Sequence, residues 1–464
     1  MTLVAGVDSS TQSCKVFVVD AASGDIVRQG AASHPAATEV HPDAWWAAFQ
    51  EASAAAGGLD DVEALRVGGQ QHGMVVLDAD GEVIRPALLW NDIRSAGAAR
   101  DLRAEFDEWA EVTGSLPLVS FTNTKLRWLA DSEPEAVARV AAVALPHDWL
   151  TWKIRGAKGL DDLVTDRSDA SGTGYFDSYR NEYRRDLLAL ALRRPADGIA
   201  LPRVLDPWEG VEGPGFIVGP GCGDNAGAAL GLGLKTGETS VSLGTSGVVA
   251  AVSSEPVVDP SGQINVFADA SGQWLPLTAT LNAARILDSA RAMLGVDYDG
   301  LAELALSAEP GAGGLVLVPW FEGERTPNLP DANASLLGAT LTNFTPANLA
   351  RAAVEGLLAL MGTGIAGITD LGVDVTRVKL IGGAAKSRAV REIAPSVLGV
   401  PVDVPAAAEY VALGAARQAA SCLAGQPVEW APRGEETYEA APRPELLERY
   451  RDLSGRMATG MGWA

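Results

Sequence analysis

Leu3-Val4-Ala5-Gly6-Val7-Asp8-Ser9-Ser10-Thr11-Gln12-Ser13-Cys14-Lys15-Val16-Phe17-Val18-Val19 opens the chain as two apolar runs around a short polar turn. The runs are small or β-branched and the turn carries a carboxylate and hydroxyls, which reads as a β-hairpin. Ala21-Ala22-Ser23-Gly24-Asp25 turns the chain again into Ile26-Val27. Three antiparallel strands before any helix is not how a simple βαβ protein begins. The unit returns as Ser240-Val241-Ser242-Leu243, Gly244-Thr245-Ser246-Gly247 and Val248-Val249-Ala250-Ala251-Val252. Unrelated hairpins share this pattern, but a duplicated strand, hydroxyl turn and strand is also what a two-lobed nucleotide clasp needs.

Between and beyond the hairpins the pattern alternates. A helix is expected over residues 43–56, after Pro42 and before Gly57-Gly58. Strands are expected at 65–67, 74–77 and 88–90, and residues 95–156 read as mostly helical, broken at 114–117 and at Pro134. Prolines and glycines crowd the stretch from Arg194 to Pro220, which marks a domain boundary and divides the chain into residues 1–217 and 218–464. A strand at 216–218 then starts the alternation afresh and leads to a helix over 225–234. The longest helix is expected from Thr345-Pro346, a cap followed by proline at the first helical position, to near Gly372. A strand at 378–381, Gly382-Gly383 and a helix to about residue 398 follow, with Pro395 expected to kink or shorten that helix. A strand at 402–404, a helix from Glu409 and a charged terminal helix over 443–457 complete the chain.

The bulk numbers bound the partners. With 464 residues, 47% hydrophobic and 20% charged, the chain is globular and too long for one ordinary core. A net charge of −23 repels phosphate backbones and anionic lipid, so neither nucleic acid nor a membrane is an expected partner. Any phosphate ligand must then be held by local N–H groups and a cation. Three cysteines stand far apart without a C-x-x-C pair, which fits a reducing, cytoplasmic setting. The first residues read as a strand rather than a signal peptide, and the longest apolar run found, 226–234, falls well short of a membrane span.

Four constellations carry chemistry. Asp8-Ser9-Ser10-Thr11 puts a carboxylate on a hairpin turn, where it can hold Mg²⁺ through water while turn N–H groups and Thr11 meet phosphate oxygens; Lys15 adds a point charge. Gly244-Thr245-Ser246-Gly247 allows close backbone approach to a phosphate and adds hydroxyl donors, as an ordinary turn also does. Gly223-Asp224-Asn225 places Asp224 at a helix start, where the dipole should keep it ionised and able to accept a proton, or where it is simply a cap. Gly382-Gly383-Ala384-Ala385-Lys386-Ser387 lets a flat adenine or its ribose lie against backbone, although paired glycines between a strand and a helix are also a common packing device. Polar clusters at Gln70-Gln71-His72, Trp90-Asn91-Asp92, Asp169-Ala170-Ser171-Gly172-Thr173 and Glu324-Arg325-Thr326 suit a carbohydrate, which needs many converging hydrogen-bond partners. No Walker sequence occurs, so a P-loop is excluded.

As an ordered set from Leu3 to about Ala420, these motifs together with Glu409-Tyr410-Val411-Ala412-Leu413-Gly414 resemble the FGGY family of carbohydrate kinases, and its xylulokinase branch most. The resemblance implies an α/β fold of two actin-like, ribonuclease H-like lobes around a cleft, with sugar on the first lobe and ATP mainly on the second. It implies Asp224 as proton acceptor; Gln71, His72, Asn91, Asp224 and Asn225 around the sugar; and Asp8, Thr11, Lys15, Gly244, Thr245, Ser246, Gly383, Ala384 and Ser387 around ATP. Asp8 would serve the Mg²⁺. The implied reaction is ATP-dependent phosphorylation of D-xylulose to D-xylulose 5-phosphate, with a homodimer as a compatible assembly. Three features depart from the family pattern: a short segment over 201–219, Pro395, and Ser9-Ser10 in place of a glycine-containing turn. The alternatives are a family member for ribulose, glycerol or gluconate, an actin-like ATPase without a sugar, and a non-catalytic sugar sensor.

Overall fold

The opening hairpin forms as strands Leu3–Ser9 and Ser13–Asp20, with Ile26–Ser33 antiparallel beside the second strand. Val62–Gly69 joins the other side of Leu3–Ser9 in parallel, and Ile217–Val218 and Cys222–Gly223 join Val62–Gly69 in parallel. This computed structural model describes residues 1–156 and 159–463.

The second sheet repeats the plan. Glu238–Leu243 and Gly247–Ala251 form the hairpin, and Trp274–Thr280 lies antiparallel beside it. Arg377–Ile381 and then Val402–Val404 add in parallel on the far side. Both sheets therefore place their third, second, first, fourth and fifth main strands in that spatial order, so the echo between the two hairpins is a duplication of topology. Around each sheet the helices close an apolar core, giving two α/β lobes.

The strand at Ile217–Val218 does not begin the second lobe, as its place after the proline-rich stretch suggested. It hydrogen-bonds to Ala64 and Leu65 and extends the first sheet. Pairing across a sheet decides this, and no local pattern reports it. The expected strand at 88–90 is only Ala87–Leu88, and Pro134 starts a short helix, Pro134–Arg139, rather than merely ending one.

The longest helix runs Pro346–Asp370, with the Thr345 hydroxyl accepting from the Asn348 N–H at 3.3 Å, a cap worth about 1 kcal/mol. By length and composition this helix could cross a membrane, contrary to the expectation that no segment approached one; 78% of its most apolar window is buried in the second lobe. Pro395 does not end its helix early: Arg388–Leu398 continues through it to Gly399. Proline removes only its own N–H, so the ladder loses the one bond to the Arg391 carbonyl and still closes with the Gly399 N–H donating to the Pro395 carbonyl at 3.0 Å.

Two helices join the lobes. Asp224–Leu232 and Tyr410–Ala424 pack on each other, and the latter also covers strands Leu3–Ser9 and Val62–Gly69 of the first sheet. The approach needs glycine. A Cβ on Gly6 would lie 1.9 Å from the Ala412 carbonyl oxygen, and one on Gly414 would lie 1.9 Å from that of Gly227.

Candidate active site

Parallel strands deliver the chemistry to one edge of the first sheet. Ser9 pairs with Gly69 and Gly69 with Gly223, so Asp8, the 70–72 segment and Asp224 all leave the sheet at the carboxyl ends of adjacent strands. Ligands of open α/β sheets gather at such ends. In the second sheet Ser242 pairs with Ile381, which brings the 244–246 turn and Gly382-Gly383 to a common edge.

Between the lobes lies a cavity of about 370 Å³. Gln71, His72, Asp224 and Asn225 line it from one side and Ser246 from the other, so the carboxylate and the second hairpin turn face one space. Asp224 is the first residue of its helix, and its Oδ1 accepts from the Asn225 N–H at 2.7 Å and from Asn225 Nδ2 at 2.9 Å. Burial pushes the Asp224 carboxyl up to about 7, with the charge of Asp8 adding to the rise. The helix terminus was expected to keep it ionised; desolvation outweighs that dipole. A carboxyl poised near neutrality suits a proton acceptor.

His72 is held firmly. Its backbone is left-handed (φ 70°), its ring stacks on Phe121 with centroids 4.6 Å apart, and Nδ1 lies 2.7 Å from the Gly172 carbonyl. That carbonyl can only accept, so Nδ1 carries the proton and Nε2 remains an acceptor. Burial pushes the ring's pKa down to about 3, so it is neutral. Gln71 donates from Nε2 to the Ser168 carbonyl at 3.2 Å and accepts from Asn225 Nδ2 at 3.2 Å. The 168–173 segment thus acts behind the cavity: Gly172 and Ser168 fix His72 and Gln71, and the Ser168 hydroxyl accepts from the Gly223 N–H at 3.1 Å.

Asn91 does not line the cavity. Its neighbour Trp90 does, and donates from Nε1 to the Thr11 hydroxyl at 2.8 Å. Asp92 is tied to Arg94 at 2.8 Å and to Thr38 at 2.9 Å. Asp8 is buried and bonded to the Ser10 hydroxyl, and burial pushes its carboxyl up to about 6. Lys15 is 3.9 Å from Asp8 but closer, at 2.6 Å, to Glu409, which takes up much of its charge. Thr245 and Ser246 are exposed, Gly383 has open space around its Cα, Ala384 is buried, and half-buried Ser387 precedes the helix Arg388–Leu398.

Sequence patterns missed the wall opposite His72. Asn265, Phe267 and Leu277 line the cavity from strands Asn265–Ala268 and Trp274–Thr280, with Ser120 and Phe121 beside them. They also missed His147, fully buried, whose Nδ1 is 2.6 Å from Asp169 and whose Nε2 is 2.9 Å from the Pro220 carbonyl. Burial works against its charge, but Asp148, Asp169 and Asp166 outweigh it and hold its pKa up at about 10. His147 so anchors the loop that leads into Asp224.

The family model for the N-terminal domain of FGGY carbohydrate kinases matches residues 3–209, and that for the C-terminal domain matches residues 239–423. The chain belongs to the FGGY family of carbohydrate kinases. It is 44% identical to a xylulose kinase of Streptomyces coelicolor over 91% of this chain and 89% of the relative. It is 43% identical to a xylulose kinase of Streptomyces rubiginosus over 98% of this chain and 95% of the relative. The crystal structure of xylulose kinase from Bifidobacterium adolescentis superimposes with a TM-score of 0.94, covering 98% of this chain and 99% of that one at 49% identity. The doubled lobes are thus the actin-like fold of the FGGY kinases, and the chain is a carbohydrate kinase.

Proposed function

We propose that this carbohydrate kinase phosphorylates D-xylulose at its C5 hydroxyl with ATP as donor. One observation carries the reading: Asp224 and Ser246 line the same cavity between the lobes, so a proton acceptor faces a phosphate-sized turn across a sugar-sized space. The similarity to xylulose kinases over nearly the whole chain supports the choice of sugar.

In this reading the sugar lies mainly against the first lobe, whose sheet runs on through Cys222–Gly223 to Asp224, and the nucleotide mainly against the second. Gln71, His72 and Asn225 position the sugar, with neutral His72 accepting a hydroxyl proton at Nε2. Asp224 takes the proton of the attacking hydroxyl as the oxygen–phosphorus bond forms and the bond to ADP breaks. Late transfer suffices, because the hydroxyl loses its proton as it gains the phosphoryl group. N–H groups of the 244–246 turn and the Thr245 and Ser246 hydroxyls neutralise the γ-phosphate, and Gly383, Ala384 and Ser387 carry the adenosine. Asp8 and Asp224 are neighbouring carboxylates with raised pKa values, a donor set that a divalent cation relieves, so the residues present fit Mg²⁺ at Asp8. When bound, Mg²⁺ would neutralise the β- and γ-phosphates. All three cysteines are free thiols, which supports a reducing cytoplasmic setting.

The test is a panel of D-xylulose, D-ribulose, L-ribulose, glycerol and gluconate in a coupled ADP assay, with the product identified by NMR. D-xylulose should give the highest kcat/KM and phosphate at C5. A preference for glycerol or gluconate would remove this assignment.

A further inference from the structure

The far wall of the cavity carries polar groups that the protein itself leaves unused. Arg325 lines the cavity from the second lobe, and its guanidinium makes no hydrogen bond or ion pair with the described residues. Its neighbour Glu324 cannot turn to pair with it. That carboxylate is spent on the Leu281 N–H at 2.6 Å, the Asn282 amide at 3.0 Å and the Arg325 N–H at 2.7 Å. On the other side the Thr326 hydroxyl is fixed to the Ala279 carbonyl at 2.9 Å. Arg325 is therefore presented on rigid backbone, close enough to His72 for its charge to act on that ring. Ser120 and Asn265, both buried, also line the cavity, and neither Ser120 Oγ nor Asn265 Oδ1 has a partner among the described residues. A buried polar atom without a partner costs stability, so such atoms converging on one cavity mark a ligand's hydrogen bonds.

The pattern of donors and acceptors names the ligand group. A guanidinium only donates; Asn265 Oδ1 and, in the tautomer fixed by Gly172, His72 Nε2 only accept. A carbonyl oxygen has lone pairs and no proton, whereas the hydroxyls flanking it have protons to place. We propose that Arg325 is a specificity residue that donates to the carbonyl oxygen of an open-chain α-hydroxyketone, while Asn265 Oδ1 and His72 Nε2 accept from the flanking hydroxyls. This deepens, and rests on, the reading of the cavity as the sugar site. A polyol's hydroxyl oxygen can also accept from Arg325, but its added proton then needs an acceptor of its own, which a guanidinium cannot supply. The site thereby selects ketoses over the polyols made by reducing them.

The experiment compares D-xylulose with xylitol and D-arabitol, its two reduction products, in the unmodified protein and in Arg325→Met and Arg325→Lys. The unmodified protein should favour the ketose at least about tenfold in kcat/KM. Arg325→Met should lower kcat/KM for the ketose about 10- to 100-fold, mainly through KM, and leave the polyols and the KM for ATP within about twofold. Arg325→Lys should fall between. Equal losses on ketose and polyols, or a raised KM for ATP with sugar KM intact, overturn the proposal, the latter by showing a phosphate ligand. A preference of the unmodified protein for polyols overturns it even if no variant folds. Should another ketose prove the better substrate, the xylulose assignment falls, and the same ratio measured with that ketose and its polyols still decides on Arg325.

Discussion

The side-chain amide of Asn225 donates to Gln71 Oε1 at 3.2 Å, joining the end of one strand-following loop to the start of the helix that carries Asp224. The same amide donates to Asp224 Oδ1 at 2.9 Å. One side chain therefore sets the spacing between a sugar-positioning group and the proton acceptor. Asn225→Leu, similar in size but without the amide, should lower kcat/KM about 10- to 100-fold. Its melting temperature should stay close to that of the parent. Steady-state kinetics alongside a thermal melt check this; unchanged kcat/KM would dismiss the role.

Asp224→Asn should lower kcat by at least about 10²- to 10⁴-fold while nucleotide affinity by calorimetry stays within a few-fold. Stability should move the other way. The folded carboxyl has its pKa raised to about 7, so the native state binds this proton more tightly than the unfolded chain does. Its contribution is therefore present at low pH and is lost as pH rises from about 4 to about 7. The asparagine variant should melt higher than the parent at pH 8 and lose that advantage at pH 4. A lower melting temperature at pH 8 would contradict the burial argument.

The pH dependence of kcat/KM for the sugar reports the free protein. With Asp224 near 7, activity should climb with pH toward neutrality, and His72, near 3, should add no limb there. A profile flat from pH 5.5 to 8.5 would be inconsistent with Asp224 as the acceptor.

Trp90 is 42% exposed on the cavity wall while its indole N–H holds Thr11. Bound sugar should shield it, so acrylamide quenching of fluorescence should fall on adding the ketose, and that change should vanish in Trp90→Phe. Quenching that responds equally in the variant would place the sugar elsewhere.

How much of this was legible in the sequence follows from what each feature depends on. The hairpins around Asp8 and Thr245 could be read because strand, turn and strand are local, and their order marked two lobes. Asp224 stood out through its place between a strand and a helix. Asn265 and Phe267 sit in an apolar strand that looks like any core strand, and only the folded sheet turns them toward His72. His147 lies in a helix, with partners at Asp169 and Pro220 that no spacing rule connects. The strand at 216–218 reads locally as a fresh start because its partner, Val62–Gly69, lies far back in the chain.

The crossing of the two joining helices should be intolerant of bulk. Gly414→Val drives a side chain into the Gly227 carbonyl, 1.9 Å from the new Cβ, with backbone rather than a yielding side chain in the way. Loss of about 1–3 kcal/mol or more is expected, read as a fall in urea midpoint. Gly425→Val in the following turn, where a Cβ meets nothing within 4 Å but φ is +66°, should cost less. Equal midpoints for the two variants would show that the helices separate without penalty.

Because Tyr410–Ala424 roofs the sheet that begins at Leu3, the chain's opening strands wait during synthesis for a helix more than 400 residues further on. A growing polypeptide halted on the ribosome before that helix emerges exposes the bare underside of Leu3–Ser9 and Val62–Gly69. Fragments cut between the lobes should therefore need each other in solution, the amino-terminal piece recovering its fold only when the carboxyl-terminal piece is supplied.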